Sequence, residues 1–258
     1  MLFMTAIARK VALVTGGAHR LGRAIAIGLA QAGWDIVIHY GTSQGDAEET
    51  VKSIEALGRQ ASALQCDLGD PVAVATLMTR ANAVLGTISC LVNNASMFEF
   101  DDISTFSPSL LQRHMQINLS SPLLLAQALH AATPESQQSV VINLLDQKLT
   151  NINPDFLSYT LSKAGLECAT TMLAQSLAPK VRVVGVSPGC TLPAKNQDDA
   201  SFARAHAMTP LGRSSTADDI AAAVCFAVQC QAITGTTLLV DGGQHLLALP
   251  RDVTFLAK

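Results

Sequence analysis

The chain has 258 residues, 49% of them hydrophobic and only 14% charged. It is long and apolar enough to bury a full core, which excludes a disordered chain. A net charge of −3 and a pI near 6.0, with no cluster of lysine and arginine, give no basis for binding nucleic acid or an anionic membrane.

The chain opens MLFMTAIARK, apolar with its basic pair last, whereas a signal peptide puts the positive charge first. No stretch approaches the ~18 uninterrupted apolar residues of a membrane span. A soluble, cytoplasmic protein is expected. Six cysteines, Cys66, Cys90, Cys168, Cys190, Cys225 and Cys230, form no C-x-x-C pair, so reduced thiols are expected and no metal site.

VALVT (11–15) reads as a strand and LGRAIAIGLAQAG as a helix closed by Gly33. DIVIH (35–39) reads as a second strand, followed by a helix, DAEETVKSIEALG, ending at Gly58. QASALQCD, ISCLVNNA, SVVINLL, VRVVGVSPG and LLVDGG each read as a further strand, and the segments between show apolar spacing of three and four. Near-continuous apolar strands separated by helices imply a parallel sheet covered on both faces. With right-handed crossovers, the predicted fold is α/β, a Rossmann-type doubly wound sheet forming one domain over residues 1–258. Residues 190–215, polar and interrupted by prolines, are the least regular stretch and are read as a substrate loop.

TGGAHRLGR, Thr15 to Arg23, follows the first strand. Gly16 and Gly17 permit a tight turn, and Gly22 lets the next helix pack close, with its free N–H groups able to hold a pyrophosphate. A Gly-rich turn alone is also compatible with a plain strand-to-helix connection. The second strand ends IVIHYGTS. An NAD site normally carries an acid there, about 20 residues past the turn, for the ribose 2′-OH. Here His39, Tyr40, Thr42 and Ser43 are neutral or donors, suited to a 2′-phosphate, and His19 stands in the glycine turn. The expected cofactor is NADP(H).

NLLDQKLTNINPDFLSYTLSK places Tyr159 and Lys163 four residues apart, on one face of a helix, with Asp146 thirteen residues before the tyrosine. Lys163 is expected to lower the tyrosine's pKa and to clamp the nicotinamide ribose, with Asp146 acting against that lowering. Asp146 is also compatible with capping the segment after it.

Together with LVNNAS, these motifs resemble the short-chain dehydrogenase/reductase superfamily, from Val11 to about Gln244. The resemblance implies a nucleotide site built from Gly16, His19, Arg20 and Leu21 of the turn and from Asp67 and Leu68 in QCDL at the adenine. Asn94, Ala95 and Ser96, the Tyr159–Lys163 pair, and Pro188–Gly189 beside the nicotinamide complete it. It implies Asn118, in MQINLSS, as support for a proton relay.

Three departures are specific. Arg20 replaces the turn's middle glycine, NNAS with Phe98 replaces NNAG, and Asp146 stands where the family carries its catalytic serine. They resemble the pteridine reductase branch, which includes dihydromonapterin and alternative dihydrofolate reductases. That resemblance implies a pterin or folate substrate contacted by Arg20, Ser96, Phe98, Asp146 and Tyr159. Arg20 is alternatively a surface ion-pair residue, and Phe98 core.

A carboxylate suits a pterin, whose reducible bonds are C=N and whose amino edge offers N–H donors. A neutral hydroxyl suits a ketone. The competing expectations are a reductase of ketones or 3-oxoacyl thioesters and a non-catalytic NADPH-binding protein. The superfamily implies a homotetramer, and the tail LLALPRDVTFLAK is expected to reach a neighbouring subunit.

Overall fold

The computed structural model describes residues 10–193 and 197–256. The calls made on the first nine residues, and on Ala194 to Asn196 of the substrate loop, lie outside them.

Seven parallel strands form one sheet: β1 (Val11–Val14), β2 (Asp35–Tyr40), β3 (Ala61–Gln65), β4 (Cys90–Asn93), β5 (Ser139–Leu144), β6 (Val181–Pro188) and β7 (Thr237–Val240). Their order is β3-β2-β1-β4-β5-β6-β7. The direction of winding reverses between β1 and β4, so the carboxyl ends of the strands open a crevice there, where ligands bind in this architecture. Strands β1, β4 and β5 are buried along their whole length, as their unbroken apolar runs require.

One face is covered by α1 (Arg20–Gln31), α2 (Gln44–Glu55) and α8 (Ala217–Gln229). In α1 the buried positions Gly22, Ile25, Ala26, Leu29 and Ala30 recur at helical spacing. Gly28 of α1 lies so close to α8 that an added Cβ would sit 3.2 Å from Ala221. The other face is covered by α3 (Pro71–Leu85), α5 (Ser121–Ala132) and α6 (Leu157–Ser176), with α4 (Pro108–Met115) packed beside α6. No helix among the described residues is long and apolar enough to cross a membrane.

One finding departs from expectation. The 190–215 stretch contains a helix, α7 (Asp199–Ala207), started by Asp198, whose side chain accepts from the Ser201 N–H. The C-terminal tail turns back over its own chain and forms a short helix, α9 (Val253–Leu256). There Arg251 Nε donates to both oxygens of Asp155 at 2.9 and 2.8 Å, and Phe255 packs on Phe100 and Phe156.

Candidate active site

A cavity of about 570 Å³ runs along the carboxyl ends of the strands, within the usual range for ligand sites. It begins at the turn after β1, where Gly16 adopts φ +61° and its N–H donates to His39 Nδ1 at 3.1 Å. A Cβ on Gly22 would stand 2.0 Å from the Gly16 carbonyl oxygen, so only glycine closes this turn. His19, the N-cap of α1, makes no side-chain capping bond. The first-turn N–H groups of α1 therefore meet the cavity without an intrahelical acceptor. That fits a bound pyrophosphate.

Arg20 stands in the left-handed region at φ +52°, where the resemblance expects glycine. Its Nη2 donates to the Pro193 carbonyl at 2.7 Å, spanning from the phosphate turn to the loop after β6. Leu21, Asp67, Leu68, Asn94, Ala95, Pro188 and Gly189 also line the cavity. Asn94 Nδ2 donates to the carbonyls of Thr15 and Gly16, tying the end of β4 to the turn.

Of the second-strand residues, His39 lines the cavity and braces its turn. His39 is buried, with Nδ1 accepting from Gly16 and Nε2 bonded to the Cys66 carbonyl at 2.9 Å. Burial pushes its pKa below the ordinary value, so the ring is neutral and braces the turn; a phosphate contact would cost both bonds. Tyr40 and Ser43 lie beside the cavity without lining it, and Gly41 takes that place. His19 faces Asp46 at 3.7 Å.

At the other end stand Asp146, Tyr159 and Lys163. Asp146 follows β5 and makes two hydrogen bonds. Its Oδ1 accepts from the Lys148 N–H at 2.8 Å, capping a single 3-10 turn, and its Oδ2 accepts from the Tyr159 hydroxyl at 2.8 Å. Tyr159 is fixed by the start of α6, where Asp101, itself buried, accepts from the N–H and hydroxyl of Ser158. A carboxylate at that helix N-terminus is also favoured by the dipole.

Burial raises the pKa of Asp146, against the lowering effects of the Lys148 N–H and the Tyr159 hydroxyl. Burial, and then Asp146, hold Tyr159 well above its ordinary value. Of the two opposing effects expected at the phenol, that of Asp146 prevails. Burial brings Lys163 down to about 8, and its Nζ donates to the Leu144 carbonyl at 2.7 Å, 5.9 Å from the tyrosine ring centroid.

Asn118 does not line the cavity. It sits in a π turn, Gln116–Ser120, between α4 and α5. Its Oδ1 accepts from the Met97 N–H at 2.8 Å and the Ser96 hydroxyl at 3.3 Å, and its Nδ2 donates to the Met97 carbonyl and Ser162 Oγ. Its side chain thus positions the Ser96–Met97 segment against α6. Ser96 and Phe98 line the cavity. Phe98 stacks on Phe156 at 4.4 Å and meets Tyr159 edge-on at 4.7 Å, while remaining 47% exposed, so it is a wall and not core.

Sequence reading missed Gln147, Asp252, Val253 and Thr254, which line the substrate end. Burial pushes the Cys190 thiol up to about 11. No group of histidine, cysteine and carboxylate side chains suited to a metal occurs among the described residues.

A doubly wound sheet with a phosphate turn at its switch point and a Tyr/Lys pair on α6 defines a nucleotide-dependent oxidoreductase. A family model described as enoyl-(acyl carrier protein) reductase matches residues 16–245, and the chain belongs to the short-chain dehydrogenase/reductase family that it represents. It is 31% identical over 245 residues to an L-rhamnose 1-dehydrogenase (NAD(P)(+)) of Sphingomonas, covering 92% of this chain and 96% of that protein. Among solved structures, it is similar to FolM alternative dihydrofolate reductase 1 from Brucella canis complexed with NADP. The TM-score is 0.90 and the identity 38%, over 93% of this chain and 96% of that one. A short-chain dehydrogenase from Burkholderia cenocepacia in complex with NADP is 33% identical, with a TM-score of 0.85, over 91% and 97%.

Proposed function

We propose that the chain is an NADPH-dependent reductase of a dihydropterin or dihydrofolate ring. The observation that carries this reading is the hydrogen bond from Tyr159 to Asp146 at the reacting end of the cavity. Similarity to the Brucella FolM structure, an alternative dihydrofolate reductase complexed with NADP, supports both substrate and cofactor.

The turn at Gly16 and the start of α1 would hold the pyrophosphate, Asp67 and Leu68 the adenine, and Lys163, Pro188 and Gly189 the nicotinamide half. Ser43, the N-cap of α2, makes no side-chain capping bond, and a hydroxyl at a helix N-terminus suits the 2′-phosphate. Bound NADPH would supply the hydride. The protein's own task is the proton.

Tyr159 is a poor source of that proton by itself. A phenolate left behind would be buried beside the Asp146 carboxyl, and both effects oppose it. Asp146, whose pKa is raised, can hold a proton and pass it to Tyr159 as the tyrosine gives its own to the ring nitrogen. Phenolate and carboxylate then never coexist. The tyrosine is the conduit and the acid the store. Phe98 offers a flat wall for the heterocycle, and Arg20, at the boundary of both halves, is placed to touch cofactor phosphate and substrate.

A second reading has its own observation. The similarity to an L-rhamnose dehydrogenase spans nearly the whole chain, which favours sugar or ketone chemistry. The exposed apolar residues Leu161 and Met172 on α6 support the expected homotetramer.

The test is NADPH oxidation by the purified protein with dihydropterins, dihydrofolate and an acetoacetyl thioester, alongside NADP⁺ reduction with L-rhamnose. Turnover of a pterin or folate that is lost in Asp146→Ser is the expected result. Turnover of the thioester or the sugar alone would overturn the reading.

A further inference from the structure

The substrate end of the cavity is closed by a segment that no motif announces. Residues 247–256 fold over it and are fastened at several points. Arg251 holds Asp155 through its guanidinium, with Nη2 at 2.7 Å from Oδ1, and the Asp252 N–H donates to Asp155 Oδ2 at 2.7 Å. The Asn151 amide donates to the Leu247 carbonyl. Phe255 joins the ring cluster of Phe100 and Phe156, with the Arg251 guanidinium 5.0 Å above it. This is a built wall, and it brings Asp252, Val253 and Thr254 to the cavity.

The chemistry of the wall is one-sided. Asp252 Oδ1 caps α9, accepting from the Thr254 N–H at 3.1 Å and hydroxyl at 2.8 Å. Its Oδ2 meets the Lys148 ammonium at a long 3.4 Å. That ammonium spends its short bond, 2.6 Å, on the Asp155 carbonyl. Asp252, which lines the cavity, thus keeps acceptor capacity on Oδ2. Beside it, Gln147 also lines the cavity, and its Oε1 is buried without a hydrogen-bond partner. A buried acceptor left unpaired costs about 1–3 kcal/mol, so turning the Gln147 amide out to meet a ligand's donor is favoured.

Resting on the reading of a pterin-type substrate, we propose that Gln147 and Asp252 form a specificity subsite that accepts the N–H donors of the substrate's amino-bearing edge. Lys148 couples this subsite to the reacting end. Its backbone N–H holds Asp146 while its side chain holds Asp252. The edge bound at Asp252 therefore fixes where the ring nitrogen meets Tyr159. A substrate with a carbonyl in place of the amino group would set oxygen against oxygen and be rejected.

The experiment compares a dihydropterin with the matching dihydrolumazine, in which a carbonyl replaces the amino group. It uses the full chain with saturating NADPH. The wild type is expected to favour the pterin in kcat/KM by at least about 100-fold, the scale set by leaving buried polar groups unpaired. Asp252→Asn keeps a side-chain oxygen to cap α9 and is expected to fold, with a melting temperature lowered by the ion pair it takes from the buried Lys148 ammonium. In it the KM for the pterin should rise about tenfold with kcat changed less than about threefold, and the pterin/lumazine ratio should fall toward one. Gln147→Leu, outside the cap, should shift the same ratio in the same direction. Unchanged KM and ratio in both variants, with the wild type turning over the pterin, would overturn the subsite alone. A wild type that turns over no pterin at all overturns the function reading and the subsite with it.

Discussion

The Tyr159 hydroxyl donates to Asp146 Oδ2 at 2.8 Å while the carboxyl's other oxygen is held by the Lys148 N–H. The acid is thereby held at both oxygens, with the tyrosine as its side-chain proton partner. If it is the proton store, activity must follow its protonation. Its pKa is raised by burial, so the protonated form persists above the usual carboxylate range and is lost as pH rises through the raised value. The pH profile of kcat for a dihydropterin should therefore fall on its alkaline side. Asp146→Asn should lower kcat by about 100-fold or more, the range for general acid–base groups, and remove that fall. A profile unchanged in shape in Asp146→Asn would assign the limb elsewhere.

Lys163 gives a second pH dependence, in binding. Its folded pKa is about 8, below the ordinary lysine value because of burial. The ammonium is present below pH 8 and is lost as pH rises through it. If Lys163 clamps the nicotinamide ribose, NADPH affinity of the free protein should weaken with a midpoint near 8, followed by fluorescence titration at successive pH values. In Lys163→Met that step should vanish, leaving weak binding at all pH. The same shift has a stability consequence of opposite direction. The unfolded lysine binds its proton more tightly, so between about pH 8 and the unfolded value of about 10.4 stability gained from this group rises with pH.

The strands and their parallel pairing were legible because most are apolar runs between helical segments, and a buried parallel sheet leaves little other reading. The phosphate turn and the Tyr159–Lys163 pair were legible for a similar reason, since close packing and a shared helix face are properties of local sequence. The two bonds of His39, to Gly16 and Cys66, were not legible, because they depend on how the turn and β3 come together. The helix at Asp199–Ala207 hid in a polar, alanine-rich stretch with no strong apolar period. The wall at Asp252 could not be read at all. It depends on Arg251 meeting Asp155, 96 residues away, and nothing local in either residue announces the other.

Gly22 tests the phosphate turn without touching chemistry. A Cβ there meets the Gly16 carbonyl oxygen at 2.0 Å and Asn94 Nδ2 at 2.6 Å, so the backbone of the turn must move. Gly22→Ala is expected to cost about 1–3 kcal/mol, the scale of overpacking, and to weaken NADPH binding by about 100-fold or more. Gly45→Ala, near the start of α2 with nothing within 4 Å of the new Cβ, is the contrast. It should leave binding unchanged and gain up to about 1 kcal/mol by removing a helical glycine. Equal nucleotide affinity in the two variants, measured by titration, would remove the turn from the nucleotide site.

Arg182 carries a stability prediction away from the cavity. It is buried on β6, and its guanidinium donates to the carbonyls of Ala227 at 3.1 Å, Val228 at 2.9 Å and Ile233 at 2.8 Å. Two of these lie in the last turn of α8, where carbonyls have no partner within the helix. No carboxylate pairs with Arg182 among the described residues, so its charge is matched by the negative end of α8. Burial lowers its pKa, as expected for a cation held only by dipoles. Arg182→Met would leave buried carbonyls unpaired at about 1 kcal/mol each, for a loss near 3 kcal/mol. At about 2–4 °C per kcal/mol for a chain of this size, the melting temperature should fall by roughly 6–12 °C. Arg182→Lys, with one compact ammonium in place of a fork, cannot reach all three carbonyls and should fall between the two. Activity well below the transition should be unaffected in both, and a melting temperature that does not move in Arg182→Met would show that α8 ends are held by packing alone.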